Sequence, residues 1–238
     1  MIYNPYPQIN LPFGNDNKYF KWLFDAILQV SKDFITYSFK DAKYEEECLS
    51  HVERVFAYEL YRRFADILEK NGVSSLVLNG EVNKCINDEI KKQTRNNESN
   101  KNITVFPDLV LHESQSSLKD QKMIIEIKRK EGIKNKEDLF RDFLKISYYL
   151  KDSTFWKNPF QYGVLLLEGK DVKLNDFQLN DEQKASFADR QEKTFSEYKN
   201  DEKFKLKFGS IVCVAYNGTT LEYETLDKII EKVNLPNN

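Results

Sequence analysis

Apolar and polar positions alternate along this chain in two rhythms, one near 3.6 residues and one of two, and the changeover between them outlines the fold. Residues 17–35 place Phe20, Leu23, Phe24, Ile27, Leu28 and Val30 close to one helical stripe, so the spacing predicts an N-terminal helix packed on the main body. A second helix is predicted over 45–70, ending at Asn71-Gly72, where glycine supplies the left-handed conformation that closes helices. On it Leu49, Phe56, Leu60, Phe64 and Ile67 fall in one arc. Glu53 lies inside that arc, and a carboxylate in an apolar stripe is costly without a partner.

Strand patterns follow at 74–82, 103–111 and 122–130, the last two joined by the polar segment HESQSSLKDQ, which has the composition of a hairpin loop. Residues 135–150 return to helical spacing through Leu139, Phe143, Ile146 and Leu150, with Asn135 as the expected N-cap. The apolar run Val164 to Leu167 suits a buried strand; a polar excursion follows over 171–201, then a hairpin of 210–216 and 220–223 around Asn217-Gly218 and a terminal helix. This order predicts an α/β protein with a mixed central sheet flanked by helices. The expected division is an N-terminal helical extension over 1–44 and a main domain over 45–238, in one unit overall.

Composition narrows the class. The 238 residues are 40% hydrophobic and 31% charged, enough for a full core without covalent staples. The formal net charge of −2 removes tight binding to nucleic acid by bulk charge. Cys48, Cys85 and Cys213 are widely spaced and His51 and His112 are the only histidines, so a zinc site has little to build on; the cysteines are expected to be reduced, apolar fillers and the histidines ordinary surface or loop residues. With no basic start, no apolar leader and no run long enough to span a bilayer, the expectation is a cytoplasmic protein with no membrane partner.

Candidate chemistry sits in the paired strands. Val105 to Leu111 holds one carboxylate, Asp108, preceded by a proline that cannot donate to a sheet ladder. In the next strand Glu126 and Lys128, two residues apart, project from the same face, and a hairpin brings Asp108 beside them. Neighbouring carboxylates repel, a hard divalent cation relieves that repulsion, and an ammonium facing the same space stabilises developing charge or helps to position and deprotonate a metal-bound water. A rival reading of 122–130 is plain alternation, with Lys122, Ile124, Glu126, Lys128 and Lys130 on a solvated face.

Pro107-Asp108 with Glu126-Ile127-Lys128 resembles the motif of the restriction-endonuclease-like PD-(D/E)xK phosphodiesterases, over about residues 45–168. The resemblance implies that fold and a metal-dependent nuclease acting on DNA. It makes Asp108, Glu126 and the main-chain carbonyl of Ile127 the ligands of Mg²⁺ or Mn²⁺, and Lys128 the residue that orients the attacking water or stabilises the transition state. Glu53 corresponds to a glutamate that many members carry on the preceding helix; its alternative is a helix-rim carboxylate paired with Arg54 or Arg63. On the following helix Lys145 or Tyr148 is a candidate for an added polar group, Arg141, Lys145, Arg129 and Lys130 are candidates for nucleic-acid contact, and Glu81 is a further acidic candidate. From 81 to 136 twelve Lys or Arg face nine Asp or Glu, whereas 171–202 carries five against nine, so the acidic excess lies away from the motif. The alternative within this fold is a non-catalytic module that binds nucleic acid or a protein; a homodimer is open to either.

Overall fold

The computed structural model describes residues 9, 11–36, 45–80, 107–113, 121–133, 139, 142–143, 146, 149–150, 159–178 and 208–232. Six strands form one mixed open sheet in chain order: β1 (Leu76–Gly80), β2 (Leu109–Glu113), β3 (Gln121–Arg129), β4 (Tyr162–Glu168), β5 (Ile211–Tyr216) and β6 (Leu221–Thr225). The β3–β4 and β4–β5 pairs are parallel and the others antiparallel. Parallel strands need both faces covered, and two core clusters supply that cover. On one face α1 (Asn17–Leu28) and α3 (Glu45–Lys70) bury Phe20, Leu23, Ile27, Phe56, Leu60 and Phe64 against Met123, Ile125, Ile127, Val164 and Val212. On the other, Leu139, Phe143, Ile146 and Leu150 cover Ile124, Leu165, Leu167 and Cys213 together with α4 (Leu226–Lys232). The described residues between 139 and 150 are all helical and form the crossover from β3 to β4; Asn135 lies outside the described residues.

The N-terminal stripe makes two helices rather than one. After α1, Gln29 and Val30 donate to Ala26 and Ile27 carbonyls in a tight turn, and Ser31 Oγ accepts the Asp33 N–H at 3.3 Å, starting a short α2 (Asp33–Thr36). α3 ends where expected: Gly72 has φ +68° and the Val73 N–H reaches the Leu68 carbonyl at 3.0 Å. The closing hairpin is tied by Asn217, whose Oδ1 accepts the Thr219 and Thr220 N–H groups.

Two expectations change and one rival reading falls. β2 begins at Leu109, so Asp108 precedes the strand instead of lying within it, and the strand runs on through His112 and Glu113. His112 is therefore not a surface or loop residue: it is buried on β2, its Nε2 2.7 Å from Asn79 Nδ2 and its Nδ1 2.5 Å from the Glu113 carbonyl. And β3 has no solvated face, being buried throughout except for a half-buried Lys128, because helices cover both sides of its parallel pairing with β4. Cys213 is buried in the core as a small apolar filler. No described helix is long and apolar enough to cross a membrane.

Candidate active site where β3 outruns β2

The β2–β3 ladder stops with Leu109 opposite Ile125, while β3 continues to Arg129. Extending the register by one pleat would set Pro107 opposite Ile127, but proline has no N–H to give to the Ile127 carbonyl. The N–H groups of β3 beyond the ladder find carboxylates instead. Asp108 Oδ2 accepts the Ile127 N–H at 2.6 Å, and Glu53 Oε2, reaching across from α3, accepts the Arg129 N–H at 3.1 Å. Because a strand residue's N–H and C=O point to the same side, the Ile127 carbonyl opens into the interval between these two carboxylates.

Glu126 and Lys128 extend from β3 toward the crossover helix. Lys128 Nζ stands 3.3 Å from Glu126 Oε1 and 3.9 Å from Asp142 Oδ2. Burial alone would favour the neutral amine, but Glu126, Asp142, Glu53 and Asp108 together outweigh it and hold Lys128 above the usual lysine range. Two of the carboxylates, by contrast, are held toward their neutral form. Burial, reinforced by Glu53 and Asp142, raises Asp108 to about 6 despite the Ile127 N–H and Lys128, and burial raises Glu53 as well. Two carboxylates, Glu126 and Asp142, thus stand within 4 Å of one ammonium, and Glu53 and Asp108 add their charge to its field.

The structure brings together Asp108, Glu126, Lys128 and Glu53. Glu53 does not pair with Arg63, which is bound to Glu59 Oε1 at 2.7 Å. Arg129, expected to meet nucleic acid, turns inward: it is 3% exposed, and its guanidinium donates to Glu168 and to the Phe34 and Ile35 carbonyls. Alternation along β3 puts it on the face of Ile125 and Ile127, toward α2. Burial raises Glu168 above the ordinary carboxylate range even with Arg129 against it. Lys130 is tied to Asp176 Oδ2 at 2.9 Å. Glu81, Arg141, Lys145 and Tyr148 lie outside the described residues. Asp142, which was not among the candidates, is 3% exposed. Its signal is visible in the sequence all the same, three residues after Leu139 and four before Ile146, a carboxylate inside an apolar stripe just as Glu53 is.

Among the described residues no three His, Cys, Asp or Glu side chains form a ready metal cage. The donors present are nonetheless all oxygen and in charge excess over Lys128, which suits a hard cation that keeps much of its water and takes one or two carboxylates. The chain matches no family model, no curated protein and no solved structure.

Proposed function

We propose that this protein is a metal-dependent nuclease that hydrolyses DNA phosphodiester bonds, on a restriction-endonuclease-like core. The observation that carries this reading is the 2.6 Å hydrogen bond from the Ile127 N–H to Asp108 Oδ2, which seats the Pro-Asp half of the motif against Glu126-Ile127-Lys128. In this reading Asp108, Glu126 and the Ile127 carbonyl hold Mg²⁺ or Mn²⁺, and Glu53 lies at the rim of the same space. The bound cation would supply Lewis acidity at the phosphoryl oxygen and lower the pKa of the attacking water.

The chain's own residues divide the remaining work. Lys128, held protonated by its carboxylates, does not take a proton from water; its ammonium stabilises the charge that develops on the phosphoryl oxygens. Asp108 and Glu53 are fixed in direction by main-chain N–H groups, so their remaining oxygens need little reorganisation to meet a cation.

The test is cleavage of duplex and single-stranded DNA by purified protein with Mg²⁺, Mn²⁺ or chelator. Metal-dependent cleavage that Asp108→Ala and Lys128→Ala each abolish, with native circular dichroism retained, supports the reading. Cleavage that survives both substitutions ends it. No cleavage, with no Mn²⁺ binding at millimolar concentration by calorimetry, favours the non-catalytic module.

A further inference from the structure

We propose that Asp142 is the positioning residue for Lys128, fixing its ammonium over Glu126 from the crossover helix; the role in catalysis rests on the phosphodiesterase reading of this site. Asp142 occupies the face of the crossover helix that also presents Leu139, Phe143 and Ile146 to the core, and it is 3% exposed. A carboxylate at such a position costs stability unless a cation faces it. Lys128 Nζ, at 3.9 Å, does so.

Lysine has a flexible four-carbon stem and a compact charge, so one neighbour leaves its ammonium free to swing. Here two carboxylates on different elements hold it, Glu126 on its own strand and Asp142 on the helix that crosses over that strand. The two are not equivalent. Glu126 is one of the oxygen donors that would hold a cation, and a Glu126 so engaged would have less charge to give Lys128. Asp142, which the reading does not assign to the cation, would remain as the counter-charge that keeps Lys128 in place.

The experiment compares wild type, Asp142→Asn and Asp142→Glu, with Lys128→Arg assigning the Lys128 signal, by ¹⁵N-resolved NMR of the lysine ammonium groups without metal and by steady-state DNA cleavage with Mn²⁺. The expected result is a slowly exchanging Lys128 ammonium in wild type and Asp142→Glu. In Asp142→Asn its exchange accelerates and kcat falls about 10- to 100-fold with KM nearly unchanged, the range seen when a group that orients a functional side chain is removed. A Lys128 signal that is unchanged in Asp142→Asn overturns the proposal. If Asp142→Asn does not fold, Asp142→Glu decides: loss of the slow ammonium signal in that folded variant overturns it, and retention supports it. Absence of cleavage by wild type would end the nuclease reading, while the ammonium signal still decides whether Asp142 positions Lys128.

Discussion

Asp108 Oδ2 accepts the main-chain N–H of Ile127 at 2.6 Å, so a residue just outside one strand completes the hydrogen bonding of the next. The bond needs an acceptor, whereas the proposed chemistry needs a charge, and the two can be separated. Asp108→Asn keeps an acceptor oxygen and removes a repelled carboxylate; its melting temperature should equal or exceed that of wild type while cleavage is lost. Asp108→Ala removes both and should cost about 1–3 kcal/mol for the orphaned N–H, measured by urea unfolding.

Acidity and metal binding should be linked through the same residue. Asp108 titrates near 6 in the fold against 3.8 unperturbed, a raised value. Its contribution to stability is therefore full below about pH 4 and is lost as pH rises through 6. A cation that binds the ionised form recovers that loss, so Mn²⁺ should stabilise the fold little at pH 5 and clearly at pH 7.5, by up to about 2.7 kcal/mol at a hundredfold excess over Kd, read as a rise in melting temperature. In Asp108→Asn the pH dependence of that increment should shrink.

Arg129 should report on the fold rather than on substrate. Its guanidinium pairs with Glu168, which is fully buried. Arg129→Met strands that carboxylate and should destabilise by about 3–5 kcal/mol. Adding Glu168→Gln to it should recover much of the loss, as read from a double-mutant cycle in chemical denaturation.

Gly163 tests the seating of the crossover helix. A Cβ there would overlap the Ile146 side chain, which is β-branched and close to its backbone. Gly163→Ala should cost about 1–3 kcal/mol by overpacking. Because Ile146 and Asp142 share a helix face, cleavage should fall along with the melting temperature, whereas the exposed substitution Tyr58→Ala should leave the melting temperature unchanged.

Much of this was legible from periodicity. The α3 arc and its glycine stop, the position of β3, and Glu53 as an apolar-stripe carboxylate all follow from local spacing, because burial of one face is what both the pattern and the structure express. The inward turn of Arg129 was less so, since Lys128-Arg129-Lys130 reads as a basic patch until both faces of the strand are known to be covered. Asp142 was passed over because a helix stripe is read for its apolar members, although one polar residue in that stripe is the costliest and so the most informative. The start of β2 was displaced for a non-local reason: Asp108 spends its side chain on a main-chain donor of the neighbouring strand, and no window of sequence contains both partners.

The late start of β2 has a consequence for how the carboxylates beside β3 are held. Had the residues before Leu109 continued to pair, main-chain carbonyls would meet the Ile127 and Arg129 N–H groups, and Asp108 and Glu53 would have nothing to hold them. A continuous ladder and a pair of anchored carboxylates thus differ here by the length of one strand, and Pro107, with no N–H to give, is a residue that cannot extend the ladder.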